Sequence, residues 1–237
     1  MINFNNVNLK FNNVTVLEGF NEEFVSGKIN CILGPSGCGK TSLLNILAGL
    51  LREQSGQITK PARVSYVFQE EALIPQKTAR QNLQLVLKSV YKNKAELDTI
   101  ITKFLKMAGI ENAASLYPHE MSGGMRQRLA LIRAFAYPSD ILLMDEPFKA
   151  LDFSLKNSII SSFLQLYNQD RRTTIFVTHD VDEALLTGDF IYVYSDKPMR
   201  LLGKFEVEGE KVGRKIYDGG ISKVKGEIYR EIEKWGV

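Results

Sequence analysis

The sequence predicts an α/β fold with a mostly parallel core sheet, an N-terminal β region and an inserted α-helical segment. Three observations carry that prediction. Short, wholly apolar runs such as Ile29–Leu33 and Ile141–Met144 read as strands buried on both faces. Helical patterns alternate with such runs, the succession expected of strands joined by crossover helices. The first run also leads directly into Gly34-Pro35-Ser36-Gly37-Cys38-Gly39-Lys40-Thr41, which matches G-x-x-x-x-G-K-[ST] in a strand–loop–helix context.

Taken in order, residues 2–33 read as β. Ile2, Phe4, Val7, Leu9 and Phe11 lie near alternation, Val14–Leu17 is a second short run, and Asn12-Asn13 is the turn signal between them. Ser42–Leu51 then sets Leu43, Leu47, Leu50 and Leu51 on one helical face. Ser55-Gly56 reads as a turn and Arg63–Phe68 as a strand ending on Gln69. Ala79–Val90, Ala95–Ala108 and Met125–Phe135 carry helical spacing, which makes residues 72 to about 134 a helical subdomain inserted in the strand–helix alternation. Beyond Ile141–Met144 come a helix at Ser154–Gln169, a strand at Thr174–Val177, a helix at Val181–Thr187 and a strand at Phe190–Tyr194. The rest, about 196–237, reads as a small appendage. It has β runs at Leu201–Val207 and Val212–Tyr217, then a terminal helix with Ile221, Val224, Ile228, Ile232 and Trp235 on one face. The expectation is one domain over residues 1–237.

Composition narrows the function. Thirty basic against 27 acidic residues leave a net charge of +3, which argues against a nucleic-acid protein held by bulk positive charge. Cys31 and Cys38 form neither a C-x-x-C pair nor a zinc pattern, so a reducing compartment is expected and no disulfide or metal framework. The N-terminus lacks the basic-then-apolar pattern of a signal peptide, and no run of about 18 apolar residues could span a membrane.

The glycine loop is a phosphate cradle. Its glycines let backbone N–H groups turn inward around an anion, and the following helix adds its positive end. Lys40 would reach the β- and γ-phosphates of a nucleotide, and the Thr41 hydroxyl would ligate Mg²⁺. At the end of the buried strand, Asp145 and Glu146 form a second chemical feature. An acid there suits Mg²⁺, and its neighbour can polarise an attacking water.

Together these stretches resemble the ATPase subunits of ATP-binding-cassette transporters, over about residues 2–195 and in that family's order. Gln69 stands at the family's glutamine loop, and Ser122-Gly123-Gly124 resembles its signature motif. Asp145-Glu146 matches the Walker B pair, Ala150-Leu151-Asp152 resembles the D-loop, and Thr178-His179-Asp180 matches the switch histidine. The resemblance implies a P-loop ATPase fold with an antiparallel N-terminal β region, and ATP with Mg²⁺ as substrate and cofactor. Phe11 would stack on adenine for about 1 kcal/mol; a core phenylalanine at a strand end is the competing reading. Gln69, Thr41 and Asp145 would serve the metal. Glu146 would be the general base or position the water, with His179 sensing the γ-phosphate.

Ser122, Gly123 and Gly124 begin a helix and so form a second anion site. In the family that site faces the nucleotide of another subunit, which implies a head-to-tail dimer with Asp152 at its interface. Further implied partners are membrane permeases and an extracytoplasmic solute-binding protein, with no nucleic acid, at the cytoplasmic face of the membrane. Val67-Phe68-Gln69-Glu70, Gly123–Arg128, Met144–Phe148 and Thr178–Ala184 look most like the nitrate, sulfonate and taurine import branch. Exporter or lipoprotein-release ATPases, and soluble cassette proteins, are the rival classes. Met121 and Met125 replace the signature's usual Leu and Gln, and Lys149 stands where Gly or Ser is commoner.

Overall fold

A computed structural model describes residues 1–149 and 151–236. The N-terminal sheet contains β1 (Ile2–Phe11), β2 (Val14–Phe24) and β4 (Ser55–Thr59), in the order β2-β1-β4, all pairings antiparallel. Between β2 and β4 run β3 (Ile29–Leu33) and helix α1 (Lys40–Ala48). β5 (Val64–Val67) follows, then α2 (Ala79–Leu87), α3 (Lys94–Met107) and α4 (Gly123–Ala136). β6 (Ile141–Asp145), α5 (Phe153–Gln169), β7 (Thr173–Val177), α6 (Val181–Thr187) and β8 (Phe190–Tyr194) restore the alternation. β9 (Leu201–Glu206) and α7 (Gly219–Ile232) end the regular structure, with a 3-10 turn at Glu233–Gly236.

The core sheet runs β5-β6-β7-β3-β8-β9, parallel except at β9. β3, β6 and β7 are buried at every position, the pattern that helices on both faces impose. One face packs against the N-terminal sheet and α1, where Leu43 and Leu47 meet Phe4, Phe24 and Tyr192. The other carries α2 to α7 through Leu83, Ile101, Leu129, Phe163 and Ile228. Burying each such side chain stabilises by about 1.5–3 kcal/mol. Polar caps start the helices. Thr78 and Gln81 form a reciprocal capping box at α2, Asn93 caps α3, and Asp180 caps α6 through the N–H groups of Asp182 and Glu183.

Three details differ from the sequence reading. Residues 55–56 are the start of β4, not a turn. Gly56 takes φ 103°, and a Cβ there would sit 2.5 Å from the carbonyl oxygen of Asn6 on the paired strand. The glycine thus marks a close backbone approach as much as a bend. Helix α1 stops at Ala48, capped by a left-handed Gly49, so Leu50 and Leu51 lie beyond it and Leu50 is exposed. The run 201–207 does not form a separate β unit with 212–217: β9 completes the core sheet on β8, and 212–217 is irregular. Arg214 explains the second half. Its guanidinium donates to the carbonyls of Leu185, Gly188, Val207 and Gly209, stitching this segment to α6 rather than to a neighbouring strand. Ile221 and Ile228 are buried on α7, with Val224, Ile232 and Trp235 packed beside them.

Candidate active site

Parallel strands deliver their C-terminal ends to one edge of the core sheet, where α/β sheets bind their ligands. The register levels those ends. Asp145 pairs with Val177, and Val177 with Ile32. Glu146 N–H donates to Val177 O (2.9 Å), and Thr178 N–H to Ile32 O (3.2 Å). The loop after β3, the acids ending β6 and the His179 loop after β7 therefore sit side by side. Gln69 is exposed two residues past β5, the strand paired with β6.

The loop 34–41 wraps into α1. Gly39 caps the helix at φ 126°, and a Cβ there would come 2.5 Å from Val16 Cγ1, so only glycine fits. Lys40, almost fully buried, donates its ammonium to Gly34 O (2.7 Å) and Pro35 O (2.8 Å). Ser36 and Gly37 face solvent, while Cys38 is buried and free. Burial raises the thiols of both cysteines, that of Cys31 to about 12, so neither is a nucleophile.

Asp145 is buried, and that burial raises its carboxyl; the hydroxyl of Thr41 pulls it back, while the adjacent Glu146 pushes it further up. A buried carboxylate beside a hydroxyl is a hard-oxygen donor pair that fits Mg²⁺. Among the described residues no cluster of three or more His, Cys, Asp or Glu could hold a metal by itself. Waters and phosphate oxygens would complete the shell, as is usual for Mg²⁺.

Glu146 adopts φ 43°, a left-handed conformation that strains a non-glycine residue by about 1–2 kcal/mol. Its two carboxylate oxygens are held separately: Oε1 lies 3.3 Å from His179 Nδ1, and Oε2 lies 2.8 Å from Lys149 Nζ. Burial pushes this carboxyl up, yet Lys149 and His179 together outweigh that and hold it below the ordinary glutamate range. His179 itself is half exposed.

The remaining predicted residues lie elsewhere on the surface. Phe11 ends β1 with 46% of its surface exposed, so it is not a core phenylalanine. Ser122 caps α4 by accepting from Met125 N–H (3.3 Å), with Gly123 and Gly124 as the first helical residues. Among the described residues, no hydrogen bond joins them to the loop 34–41. Asp152 caps α5 through Leu155 N–H and is exposed; Ala150, just before it, lies outside the described residues.

Other contacts escaped the sequence reading. Lys156 on α5 binds both Asp180 (2.9 Å) and Glu183 (2.7 Å), and Thr178 Oγ1 donates to Glu183 (2.6 Å), bracing the His179 loop. From α4, Arg133 donates to Ala72 O and Glu71 O, and Arg126 pairs with Glu71 (3.2 Å), tying the segment after Gln69 to the signature helix. Gln127 donates to Pro147 O. The links from Lys156, Arg126, Arg133 and Gln127 gave no local pattern, because their partners lie 20 to 62 positions away. The larger cavities, about 500 and 530 Å³, open elsewhere, under the segment 206–224 and beside Gly27 and Arg171.

The ABC transporter family model matches residues 17–149, which spans the phosphate loop, the signature and the paired acids. The chain belongs to the ABC transporter family. It is an ATPase coupled to transport. The uncharacterized ABC transporter ATP-binding protein MJ0412 of Methanocaldococcus jannaschii is 37% identical over 210 residues, 84% of this chain and 78% of that protein. The taurine import ATP-binding protein TauB of Rhizobium johnstonii is 36% identical over 184 residues, 74% of this chain and 70% of the relative. Among solved structures, the dimeric, post-hydrolysis form of the ATP-binding cassette MJ0796, bound to ADP and Pi, superposes with a TM-score of 0.76 at 29% identity. That match covers 89% of this chain and all of the other. No described helix is long and apolar enough to cross a membrane.

Proposed function

We propose that this ABC ATPase drives an importer for a small anion of the nitrate, sulfonate or taurine kind. Its motif stretches and its similarity to a taurine import protein support that reading. The working unit is a head-to-tail dimer at the cytoplasmic face of the membrane, joined to permease subunits and served by an extracytoplasmic solute-binding protein. Similarity to a dimeric cassette supports the first of these partners. For the permeases, a groove lined by Tyr66, Phe68, Val86, Arg133 and Tyr137 offers stacked aromatics (4.1 Å between ring centres) between β5 and the helices.

The observation that carries the chemistry is the meeting of Asp145, Glu146, His179 and the loop 34–41 at level strand ends. The loop and Lys40 grip the phosphates, and Phe11, exposed at the end of β1, stacks on the base. Thr41, Asp145 and Gln69 hold Mg²⁺, which when bound neutralises charge on the phosphate oxygens. Glu146 accepts a proton from, or aims, the water that attacks the γ-phosphorus in line as the bond to the β-phosphate oxygen breaks and ADP leaves, while half-exposed His179 meets the γ-phosphate. Ser122, Gly123 and Gly124 of the second copy close over that phosphate with the start of α4, and Asp152 sets the spacing of the two copies.

Phosphate release by Glu146→Gln tests the assignment. The variant should bind ATP and dimerise normally while turnover falls about 10²- to 10⁴-fold, the range for removing a general base. Near-normal release would contradict it. Recovery of permeases together with an external binding protein supports import, whereas permeases alone favour an exporter.

A further inference from the structure

The shortest ion-pair contact on Glu146 comes from a residue that the reaction as described does not use. Lys149 Nζ lies 2.8 Å from Glu146 Oε2, while His179 takes Oε1 at 3.3 Å. Each oxygen that could hold the attacking water thus has a side chain of the same chain beside it. The arrangement is built rather than incidental. Lys149 N–H donates to Glu146 O (3.1 Å), closing a tight turn over residues 146–149. Within that turn Pro147 O accepts from Gln127, and Phe148 is fully buried against Phe176 and Phe163, with ring centres 5.6 and 6.3 Å away. Glu146 N–H is fixed on Val177 O. The backbone beneath both side chains is therefore rigid, and little ordering is needed to form the pair.

The two partners differ in freedom. Glu146 keeps 12% of its side chain exposed and Lys149 keeps 47%, so the ammonium can swing into solvent while the carboxylate stays. An ammonium at this distance fills the arc that a water beside Oε2 needs. Three residues on, Asp152 starts α5 at the face assigned to the second copy. Lys149 also lies near enough to Asp145, beside Thr41, to act on its charge, so a γ-phosphate held by the loop 34–41 and enclosed by the second copy is a competing anion for the ammonium.

We propose that Lys149 is a positioning residue that clamps Glu146 in the separate subunit and releases it when the second copy closes. The clamp suppresses ATP hydrolysis outside the assembled dimer. It rests on the reading of Glu146 as the residue that holds the attacking water.

The test measures ATP turnover and KM by phosphate release for the full-length protein without permeases, comparing parent, Lys149→Met, Lys149→Arg and Glu146→Gln. Lys149→Met should raise kcat about two- to fivefold, the span a half-exposed ion pair allows. KM for ATP and the thermal midpoint should stay unchanged. Lys149→Arg, which keeps the charge, should restore the parent's slow rate; a purely structural role for Lys149 would not divide kcat from KM in this way. A Met variant at or below the parent's kcat, an effect confined to KM, or equal acceleration by Arg would each overturn the clamp. If Glu146→Gln is inactive and Met is no faster, the clamp alone fails. If Glu146→Gln turns over at the parent's rate, the assignment of Glu146 fails and the clamp with it.

Discussion

The loop that enters α1 and the turn that enters α4 are both glycine-bearing helix starts, yet only the first is dictated from within the chain. Gly39 takes a φ of 126° and would strike Val16 with any side chain. Lys40 is folded onto the loop's own carbonyls, and Thr41 reaches Asp145. At α4, Gly124 is explained by Leu155, whose Cδ1 would lie 2.5 Å from an added Cβ. Among the described residues, nothing in its own chain explains Gly123. Its φ is ordinary, and the nearest atom to an added Cβ is the mobile end of Arg126, 3.8 Å away. The first helix start is shaped by its own fold; the second has a bare spot on its open side. That difference is what a site shared between two copies predicts.

Substitutions can break the comparison at either end. The largest effect is expected at the bare spot. Gly123→Asp has room in its own chain, but places a carboxylate where the partner's γ-phosphate should arrive. Turnover should fall at least about 100-fold, the scale set by losing a preorganised anion site. The thermal midpoint should move little and single-subunit ATP binding should persist in a nucleotide titration. The next effect belongs to the loop. Gly39→Ala forces a β-carbon into an unfavourable φ and against Val16, destabilising by about 2–4 kcal/mol in chemical denaturation; Gly123→Ala should change stability by less than about 0.5 kcal/mol. A smaller loss than at Gly39 is expected for Ser122→Ala. Loss of the cap on Met125 N–H should remove about 1 kcal/mol, a drop of about 2–4 °C in Tm.

The same division decides what the amino-acid sequence made legible. The loop 34–41, the paired acids and His179 could be read because each is a short string at the end of an apolar run, and parallel strands bring such ends together. Ser122 to Gly124 stood out differently, as a capping serine and two glycines that start a helix. Gly56 was misread because a glycine after serine suggests a turn whatever its partner strand requires. The run 212–217 looked like a strand, but the four carbonyls gathered by Arg214 come from α6, its loop and the end of β9, which no local pattern reveals. The contacts of Lys156 and Arg133 were hidden likewise. Lys149 is the intermediate case: it stood out as an unusual residue, while its grip on Glu146 depends on a turn that a buried Phe148 and Gln127 hold in place.

The central claim is that each ATP site draws its two walls from different copies. Mixing two disabled variants tests it most directly. Lys40→Ala lacks a working phosphate loop but keeps Ser122 to Gly124; Gly123→Asp keeps the loop but spoils the opposite wall. Each alone should release almost no phosphate. Mixed in equal amounts, half the dimers carry one intact site, so the rate should recover to about a quarter of the parent's. If Gly123→Asp alone is fully active, or if the mixture stays as inactive as its components although mixed dimers form, the shared site is contradicted.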